Sequence, residues 1–521
     1  MSALVTDGLA WWAETTPDRP AIVFDGRDGV DYAGLARWTD AAAHLLAERG
    51  LRAGDRFGII GGNSLEWCVA AIGALKLGAV VVPYNNRFVA AELRYLVEDS
   101  EPALVAADDR HRPQMARALD GGAADGWALG GGTLDGGPVE LLGLSEFTPL
   151  RDVDSVPVPR PDAADDDLAV LVYTSGTTSN PKGVEFTHRS THAFIHEWGL
   201  MEPALRPGAG LIFVLSMSGA PGILWHVLHP LNRGMTIHYE KGFEPATTLA
   251  RLASGQVQVM MGVPVLFEQM AALPEFADAD LTAAELVTVA GARVSTSTIR
   301  AWLDKGVTLR QGYGMTELGG LSTLNPVSQA LTKPESVGRD AVFTKHRVVR
   351  PDGTDCDAEE PGEIIVRGPA VTTRYWRNPE ATAESLRDGW FHSGDVGIRD
   401  ADGYIRVVDR MKDLIISGGF NIAPSEIEAV INELPGVDEV CVIPAQDEKF
   451  GETPAAVIFS RKPPSAQQVV ELCRDRLAKF KVPSYVVFTG EPLPRMASGK
   501  IARRELRARY SEIDTTHGKL T

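Results

Sequence analysis

Cysteine is scarce in this sequence, and no two cysteines lie close together. The four are spread over 521 residues, at Cys68, Cys356, Cys441 and Cys473. This spacing excludes a CxxC redox pair and the clustered thiols of a zinc site. We therefore expect a protein of a reducing compartment and place it in the cytoplasm.

Long apolar runs are lacking, and so is a secretory leader. The longest apolar stretch, Trp67–Pro83, is shorter than the roughly 20 residues that cross a bilayer, and it contains Lys76. It predicts a helix followed by a buried strand, not a membrane span. The first segment, Met1–Pro20, carries acidic residues and no basic-then-apolar pattern, so we expect no export.

The sequence has fewer basic than acidic residues. With 51 lysines and arginines against 69 aspartates and glutamates, the net charge is -18, which disfavours general adhesion to nucleic acid or to an anionic membrane. An anionic substrate must therefore meet a local basic site. What the sequence does contain is the 44% apolar and 23% charged composition of a soluble globular chain, long enough for roughly three to four domain-sized units.

Periodicity indicates an α/β fold over most of the chain. The helical pattern of Tyr32–Glu48 leads into the strand-like run Arg56–Ile60, and such alternation predicts a parallel sheet with crossover helices. A second α/β lobe is predicted from four short apolar runs, with helices such as Glu244–Ala253 between them. The four predicted strands are Leu211–Leu215, Met235–Tyr239, Val257–Met261 and Leu286–Ala290.

The last third of the sequence changes its pattern twice. From about Ser336, turn-separated alternating segments such as Glu363–Arg367 and Gly403–Val408 predict a mainly β region. Beyond residue 413 a new alternation predicts a separate, small α/β domain. Its predicted elements are the helices Pro424–Leu434 and Ala466–Leu477 and the strands Asp438–Pro444, Ala455–Phe459 and Tyr485–Phe488.

One stretch, Leu171–Gly183, has the composition of a phosphate-binding loop. An apolar run breaks into hydroxyl residues, glycines and Lys182; the glycines let backbone N–H groups approach an anion, and the lysine supplies a charge. A P-loop NTPase is excluded, because there the lysine follows the second glycine, whereas here Lys182 precedes Gly183. A mobile surface loop would explain the composition but neither the preceding strand nor the Pro181-Lys182-Gly183 ending.

This stretch resembles the phosphate-binding signature of the acyl-adenylate-forming superfamily of acyl-CoA synthetases, peptide-synthetase adenylation domains and luciferases. One departure is Ser179, where the family usually has glycine. The resemblance implies a large adenylating domain, residues 1–411, and a small mobile domain, residues 412–521. It also implies ATP, Mg²⁺ and CoA as cofactors. The implied phosphate-binding residues are Thr174, Ser175, Gly176, Thr177, Thr178 and Lys182.

A second signature, Gln311–Glu317, resembles the family's adenylate and magnesium motif. The resemblance implies that Thr316 touches the α-phosphate and that Glu317 orients the Mg²⁺ carried by ATP, an ion that prefers oxygen ligands. Arg293 ends a segment that matches the family's adenine cradle; we favour a solvent-facing over a phosphate-contacting arginine, because an unpaired buried guanidinium would be costly. The other implied nucleotide and carboxyl contacts are Gly291, Ala292, Gly312, Tyr313, Gly314 and Met315.

Asp395 and Arg410 look like the family's ribose-binding pair. A carboxylate accepts hydrogen bonds from both ribose hydroxyls, and an arginine bridges nearby polar groups. Val407 belongs to the same motif. Tyr375-Trp376 also resembles a family motif, in which Arg374 stands in place of the usual glycine, and we interpret both aromatic residues as packing residues.

The remaining motifs concern the two half-reactions of the family, adenylation and thioester formation, and the change from one to the other. Lys412 corresponds to the family's hinge residue. Ser417, Gly418 and Gly419 resemble the turn that lines the pantetheine tunnel during thioester formation. Lys500 corresponds to the lysine that bridges the acyl carboxylate and the α-phosphate during adenylation, where a fixed charge stabilises developing negative density.

Small residues occupy positions where related enzymes usually place a large ring beside the acyl pocket. We therefore expect a recessed pocket that accepts a hydrophobic, bulky or polycyclic acid. A neighbouring ring such as Trp225 or Phe267 could instead refill the space. The pocket residues implied are Gly219, Ala220, Pro221, Gly262, Gly319 and Gly320.

The resemblance implies an acid:CoA ligase with Lys500, Glu317 and Thr316 as catalytic residues. Carboxylate and ATP would give acyl-adenylate and pyrophosphate, and the CoA thiol would then displace AMP. Because no carrier segment is appended, the main alternative is a ligase that loads a separate carrier protein. A non-catalytic acyl or nucleotide sensor, against which the intact Lys182, Glu317 and Lys500 argue, and a luciferase-type oxygenase are further alternatives. The expected partners are the acid, ATP and CoA, with no nucleic acid and no membrane span; a homodimer stays open.

Overall fold

The computed structural model describes residues 3–120, 139–174, 181–291, 294–417, 420–447, 450–496 and 500–520. The chain divides into two compact units, Met1–His346 with Val366–Phe391, and Arg347–Ile365 with His392–Thr521. This division follows packing, whereas the boundary expected at 411/412 concerns motion and stays a prediction. Within the described ranges, no helix is both long and apolar enough to cross a bilayer.

Most of the first unit consists of sheets flanked by helices, in agreement with the alternating pattern. Its strands before residue 345 are β1 (Pro20–Phe24), β2 (Asp28–Asp31), β3 (Arg56–Ile60), β4 (Val80–Pro83), β5 (Leu104–Ala107), β6 (Glu140–Gly143), β7 (Leu168–Tyr173), β8 (Gly183–Thr187), β9 (Gly210–Phe213), β10 (Thr236–Tyr239), β11 (Val259–Gly262), β12 (Leu286–Val289), β13 (Leu309–Tyr313) and β14 (Thr323–Leu324). Its helices in the same stretch are α1 (Asp7–Thr15), α2 (Tyr32–Glu48), α3 (Leu65–Lys76), α4 (Ala90–Ser100), α5 (Arg112–Leu119), α6 (His188–Met201), α7 (His229–Arg233), α8 (Pro245–Ala253), α9 (Pro264–Ala271), α10 (Thr296–Asp304) and α11 (Val327–Ala330). Short 3₁₀ turns span Leu144–Asp152, Pro274–Ala277 and Thr316–Leu318, and a π-helix spans Pro221–Leu228.

Two mostly parallel sheets form this unit. The six-stranded sheet has the order β6-β5-β3-β4-β7-β8, and the eight-stranded sheet has the order β14-β13-β12-β11-β9-β10-β1-β2. Only the pairs β7–β8, β13–β14 and β1–β2 are antiparallel. Strands buried on both faces carry continuous apolar runs, which is why the sequence pattern locates them well. The reversal at β7–β8 departs from the expected all-parallel arrangement.

Short polar side chains begin two helices of the first lobe, α2 and α3. An Asp31 carboxylate oxygen accepts from the Gly34 N–H at 2.6 Å before α2, and the Ser64 hydroxyl accepts from the Trp67 N–H at 3.1 Å before α3. The two helices pack closely at Gly73, where an added Cβ would lie 3.0 Å from the Ala43 nitrogen. Capping and close packing together fix the start of this lobe.

The β-rich region expected from Ser336 is a five-stranded sheet. Its order is β15-β16-β18-β17, with β19 paired to β18. The register of β18 and β19 places Asp395 opposite Arg410. The elements are β15 (Lys345–Val349), β16 (Pro361–Arg367), β17 (Leu386–Arg387), β18 (Trp390–Arg399), β19 (Ile405–Arg410) and helix α12 (Pro379–Ser385).

The chain ends in a small α/β part, as predicted. Alternate residues of one strand enter two different cores: Val440 and Val442 pack in one, Cys441 and Ile443 in the other. The sheet order is β21-β20-β23-β22, with β24 beside β23. The elements are β20 (Ile415–Ser417), β21 (Phe420–Ile422), β22 (Glu439–Asp447), β23 (Gly451–Phe459), β24 (Tyr485–Thr489), α13 (Pro424–Ile431), α14 (Ala466–Arg476), α15 (Arg503–Arg509), α16 (Ile513–Thr516) and the 3₁₀ turns Met411–Asp413 and Lys479–Lys481.

Candidate active site

Glycine-bearing segments meet at one edge of the eight-stranded sheet. Strands β9, β11, β12 and β13 are parallel neighbours. Gly219, Gly262, Gly291 and Gly314 lie at or beyond their carboxyl ends. The carboxyl ends of parallel strands share one edge of a sheet, and ligands of open α/β sheets bind there. The topology thus brings the adenine, carboxylate and acyl segments named from the sequence to one rim.

The predicted phosphate loop joins β7 to β8. Tyr173 stands opposite Gly183 in the antiparallel register, and the Thr174 N–H donates to the Lys182 carbonyl oxygen at 2.9 Å. This hydrogen bond closes the neck of the loop and holds Thr174 beside Lys182. The other candidates of the loop lie outside the described residues; they are Ser175, Gly176, Thr177 and Thr178.

Lys182, Tyr375 and Glu317 form a line of contacts. The Lys182 ammonium lies 5.1 Å from the centre of the Tyr375 ring, within the range of a cation–π interaction. The Tyr375 hydroxyl donates to Glu317 Oε1 at 2.8 Å. Glu317 is buried, with 6% of its surface exposed. The predicted phosphate lysine and the predicted metal carboxylate therefore contact the same tyrosine.

A short segment around Tyr375 ties these elements together. The Thr372 N–H donates to the Glu317 carbonyl oxygen, and the Trp376 N–H donates to the Gly183 carbonyl oxygen, each at 2.8 Å. The Trp376 indole N–H donates to the Asp99 carbonyl oxygen at 2.9 Å, so Trp376 is a packing residue as predicted. For Tyr375 that prediction was incomplete, because its hydroxyl contacts the metal-site carboxylate.

The Gln311–Glu317 motif leaves β13 and enters a 3₁₀ turn. A Cβ added to Gly314 would lie 1.9 Å from the Gly320 carbonyl oxygen, so only glycine fits there. Gly319 and Gly320 have φ of 78° and 108°, in the left-handed region that glycine tolerates. Their N–H groups donate back to Thr316 and Met315, each at 3.0 Å. The turn that presents Thr316 and Glu317 is thus held by its own backbone.

The donor set around Glu317 fits a Mg²⁺ ion that arrives with ATP. A buried carboxylate with one oxygen held by a phenol hydroxyl is a single, oriented oxygen ligand, and Mg²⁺ typically takes one or two such ligands together with substrate phosphates. Across the described ranges, no three His, Cys, Asp or Glu side chains cluster to hold an ion without the nucleotide.

The adenine segment is described only at Gly291. This residue has a φ of 87° and follows β12. The preceding Ala290 N–H donates to the Gly262 carbonyl oxygen at 3.0 Å, which links the adenine segment to a glycine of the acyl segment. Ala292 and Arg293 lie outside the described residues, and the orientation of the arginine stays a prediction.

In the second unit, Asp395, Arg410 and Lys500 lie together. The Arg410 Nε atom is 3.0 Å from Asp395 Oδ1, and Asp395 is buried. The pKa of Lys500 is lowered, first by the surrounding protein and then by Arg410, with Asp395 opposing the shift. Lys500 itself is exposed to solvent, although the surrounding protein lowers its pKa. Val407 is 38% exposed on the neighbouring strand β19.

The hinge and tunnel candidates occupy separate turns of this unit. Lys412 lies in the 3₁₀ turn Met411–Asp413, and Arg507 donates to the backbone oxygens of Lys412 at 3.5 Å and of Asp413 at 3.2 Å. Ser417 is buried and stands opposite Phe420 in the β20–β21 hairpin. Gly418 and Gly419 lie outside the described residues. The roles of Lys412 and Ser417 stay predictions.

An acyl loop, which we define as residues 214–221, follows β9. Asn63 binds it twice: its side-chain amide donates to the Leu215 carbonyl oxygen at 2.7 Å, and its oxygen accepts from the Met217 N–H at 3.2 Å. The same amide also donates to the Glu240 carbonyl oxygen, outside the loop, at 3.1 Å. Sequence reasoning gave no signal for this anchor, because Asn63 and the loop are far apart in the chain.

Aromatic rings pack against three of the four predicted pocket glycines. A Cβ added to Gly262 would lie 2.9 Å from Phe267, one on Gly319 would lie 3.2 Å from Phe194, and one on Gly320 would lie 3.0 Å from Trp225. These contacts match the alternative in which neighbouring rings refill the recess. At Gly219 the nearest atom would be Pro221 Cδ at 3.6 Å, so that wall is open. Ala220 is buried, and Pro221 begins the π-helix.

The α/β lobes, the phosphate-loop lysine, the oriented carboxylate and the Asp395–Arg410 pair define an adenylate-forming enzyme. Residues 9–376 match the family described as AMP-binding enzyme, and residues 426–500 match the AMP-binding enzyme C-terminal domain. The chain belongs to this family. The boundary expected at 411/412 falls between the two matched regions.

Several similar proteins cover nearly the whole chain. The long-chain-fatty-acid–CoA ligase FadD13 of Mycobacterium tuberculosis is 34% identical over 505 residues, covering 96% of this chain and 97% of that protein. The feruloyl-CoA synthase of an Amycolatopsis species is 34% identical over 516 residues, covering 96% and 99%. The crystal structure of ATP-bound MatB from Rhodopseudomonas palustris superposes with a TM-score of 0.88 at 30% identity, covering 98% of this chain and 100% of that one.

Proposed function

We propose that this chain is an AMP-forming acid:CoA ligase, an acyl-CoA synthetase for a hydrophobic, ring-bearing carboxylic acid. In the first step a carboxylate oxygen bonds to the α-phosphorus of ATP, and the bond to the bridging oxygen breaks to release pyrophosphate. In the second step the CoA sulfur bonds to the acyl carbon, the bond to AMP breaks, and the thiol proton passes to solvent.

The observation that carries this proposal is the line of contacts from Lys182 through Tyr375 to Glu317. The Lys182 ammonium, beside the Tyr375 ring, would bind phosphate oxygens, and Glu317, held by the Tyr375 hydroxyl, would hold the metal ion that accompanies them. Mg²⁺, when bound, neutralises negative charge on the phosphates. Thr316, on the same turn as Glu317, would reach the α-phosphate. A cation, a metal ligand and a hydroxyl donor would then act on one triphosphate.

Lys500 supplies the charge for the first step. Two anions, the carboxylate and the α-phosphate, must approach each other, and an ammonium between them lowers the barrier by electrostatic stabilisation and positioning. Asp395 and Arg410, 3.0 Å apart, form the polar surface beside it and bind the ribose. The Lys500 pKa is lowered, and the bound anions would oppose that shift and stabilise the ammonium form.

The acceptor is CoA, and similarity supports this choice over a carrier protein. FadD13, the feruloyl-CoA synthase and an indoleacetate–CoA ligase of Aromatoleum aromaticum, 32% identical over 506 residues, are all named for CoA products. Two of the three act on acids that contain an aromatic ring. The rings of Phe194, Trp225 and Phe267 beside the pocket glycines give such an acid an apolar surface to pack against.

Cellular location and assembly are parts of the same proposal. The four cysteines are free thiols, and three of them are buried, which fits the cytoplasm. We also propose a homodimer, which multi-angle light scattering of the purified chain tests directly. A monomer at working concentration would contradict that part and leave the ligase proposal intact.

Pyrophosphate exchange tests the chemistry. The purified enzyme, ATP, Mg²⁺ and labelled pyrophosphate are incubated with acetate, octanoate, 3-phenylpropanoate and a fused-ring carboxylic acid, and each acid is assayed again with CoA. We expect acid-dependent exchange, and AMP with acyl-CoA once CoA is present. Exchange without thioester, followed by transfer of preformed adenylate to a carrier protein, would replace CoA ligation by carrier loading. No exchange with any acid would contradict the proposal.

A further inference from the structure

The segment that follows α16, residues 517–520, is bonded to the sheet of the second unit, and we call it the tail. The Leu520 N–H donates to the Ser484 carbonyl oxygen at 2.8 Å, and the Lys519 Nζ atom lies 2.7 Å from Asp447 Oδ2. Ser484 directly precedes β24, whereas Asp447 is the last residue of β22. Since β22 and β24 pair with opposite edges of β23, the tail joins chain segments on both sides of that strand.

The Asp447 carboxylate closes the turn between β22 and β23. Its Oδ1 atom accepts from the Phe450 N–H at 2.9 Å, while its Oδ2 atom accepts from Lys519. Only 4% of the Asp447 side chain is exposed, against 46% of the Lys519 side chain. A carboxylate that is so enclosed is costly unless an opposite charge and hydrogen-bond donors satisfy it. The position of Asp447, and with it the shape of the turn, therefore depends on Lys519.

The turn that Asp447 closes borders the predicted tunnel turn. Asp447 pairs with Gly451 in the register of β22 and β23, and Gly451 pairs with Ser417 across β23 and β20. One residue further along β23, Glu452 Oε2 accepts from the Ile416 N–H at 2.8 Å. Ser417 is the last residue of β20, where the chain enters the turn that the sequence assigns to the pantetheine tunnel. A continuous path of contacts thus leads from the tail to that turn.

We infer that Lys519 is a positioning residue for the CoA step: by holding Asp447 and the turn after β22, it fixes the place of the β20–β21 turn that receives the pantetheine arm. This inference rests on the proposed function, because it takes CoA as the acceptor. Lys519 acts through Asp447, and adenylation relies on Lys500 instead. Loss of the Lys519–Asp447 pair therefore weakens the use of CoA and leaves the first half-reaction unchanged.

The first test is Lys519→Met, which keeps the length of the side chain and removes its charge. AMP release from a synthetic acyl-adenylate is measured against CoA concentration, using the acid that gives the fastest pyrophosphate exchange. We expect the KM for CoA to rise about tenfold, because small displacements of positioning groups have effects of this size or larger. Acid-dependent pyrophosphate exchange should equal that of the parent enzyme. Lys519→Arg keeps the charge and should restore a KM for CoA close to the parent value.

The second test removes the same ion pair from its other side. Asp447→Asn keeps an oxygen for the Phe450 N–H and should raise the KM for CoA as Lys519→Met does. The double variant should show no further rise, since both substitutions remove one shared interaction. The matched control is Lys481→Met: the Lys481 Nζ atom lies 2.6 Å from Glu426 Oε2 in the same unit, and loss of that pair should leave the KM for CoA unchanged.

Three results would overturn the inference. The first is an unchanged KM for CoA in Lys519→Met. The second is an equal loss of pyrophosphate exchange and CoA transfer, which would assign the ion pair to folding stability alone. The third is an equal rise of the KM for CoA in Lys481→Met. In all three cases the ligase proposal stands, because the parent enzyme forms acyl-CoA; a parent enzyme that exchanges pyrophosphate without forming acyl-CoA would contradict the proposed acceptor itself.

Discussion

A single hydroxyl group joins Glu317, the predicted metal ligand, to the ring beside Lys182, the predicted phosphate-binding lysine. Tyr375→Phe removes the donor to Glu317 Oε1 and leaves the ring under Lys182. Because a hydrogen bond to a carboxylate contributes about 1.5–3 kcal/mol, we expect the Mg²⁺ concentration for half-maximal pyrophosphate exchange to rise about tenfold or more. The transfer of CoA to preformed acyl-adenylate should change little.

The matched control for this variant is Tyr84→Phe. The Tyr84 hydroxyl is also buried and makes one side-chain hydrogen bond, to Ser100 at 2.8 Å, but it lies in the first lobe away from the metal carboxylate. Its Mg²⁺ dependence should match that of the parent enzyme. Equal Mg²⁺ curves for all three proteins would mean that Tyr375 only packs.

Lys500 is predicted to serve one half-reaction only. Lys500→Ala should abolish adenylation, with a loss of about a thousandfold, and largely spare thioester formation from a synthetic acyl-adenylate. Acid-dependent pyrophosphate exchange measures the first step, and release of AMP from the synthetic adenylate with CoA measures the second. An equal loss in both assays would indicate a folding defect or a shared role.

The lowered pKa of Lys500 gives a pH signature for the same residue. A lysine with a lowered pKa loses its proton at a lower pH than an ordinary lysine, so adenylation in the free enzyme should decline with rising pH earlier than a normal ammonium would cause. The measurement is the pH profile of kcat/KM for ATP in pyrophosphate exchange. An arginine keeps its charge throughout the pH profile, so the residual activity of Lys500→Arg should lack this alkaline decline. An identical decline in Lys500→Arg would mean that another group causes the decline.

Among the elements, the acyl loop is predicted to set substrate size. Gly219 has no atom closer to an added Cβ than Pro221 Cδ at 3.6 Å, so a larger side chain enters open space rather than the core. We expect Gly219→His to lower kcat/KM for a fused-ring acid about tenfold or more relative to octanoate, because the ring fills space that the substrate would occupy. Assays with acetate, octanoate and the fused-ring acid measure this ratio.

The control for Gly219→His is a size change at an open glycine of the small C-terminal α/β part. Gly490, which follows β24, has no atom within 4 Å of an added Cβ, and Gly490→His should keep the parent enzyme's selectivity. If the parent enzyme prefers acetate, or if Gly219→His leaves the ratio for the fused-ring acid untouched, the acyl loop does not limit substrate size.

Element positions follow closely from the sequence wherever local pattern dominates. Helix α2 and strand β3 have the bounds that the sequence pattern predicts, because α2 carries an apolar stripe of helical period and β3 is a short, mostly apolar run. The reversal at β7–β8 escaped prediction, since strand direction depends on which neighbours pair. The π-helix at Pro221–Leu228 escaped too, because its wide turn arises from packing of its rings and not from a distinctive composition.

The residues of the candidate site also fall into two groups, those that local sequence predicts and those whose contacts depend on the fold. Lys182, Glu317 and Lys500 could be located because each belongs to a contiguous motif. The contact of Tyr375 with Glu317 joins residues that are 58 positions apart, and Asn63 is 154 positions from Met217. Such pairings depend on the folded path of the chain, and no spacing along the sequence encodes them.

For the whole molecule, we predict that the two half-reactions require rotation about a hinge at Lys412. Lys412→Pro fixes φ at about −65°, a value compatible with the 3₁₀ turn in which Lys412 lies, so the structure described here should form. We expect CoA transfer to be impaired more than adenylation, by about tenfold, because the small domain then rotates less freely. Steady-state CoA ligation and pyrophosphate exchange measure the two effects. Lys412→Ala, which keeps the torsional freedom, is the control; CoA ligation as fast in Lys412→Pro as in Lys412→Ala would contradict the hinge.

The hydrogen bonds of Asn63 bear on how this enzyme could acquire new substrates. Within the acyl loop Asn63 hydrogen-bonds to main-chain atoms, the Leu215 carbonyl oxygen and the Met217 N–H, so this anchorage does not depend on the loop's side chains. Position 219, where an added Cβ would have Pro221 Cδ as its nearest neighbour at 3.6 Å, is therefore open to exchange at constant length. A library randomised at this position would vary the shape presented to the acid while keeping the anchorage.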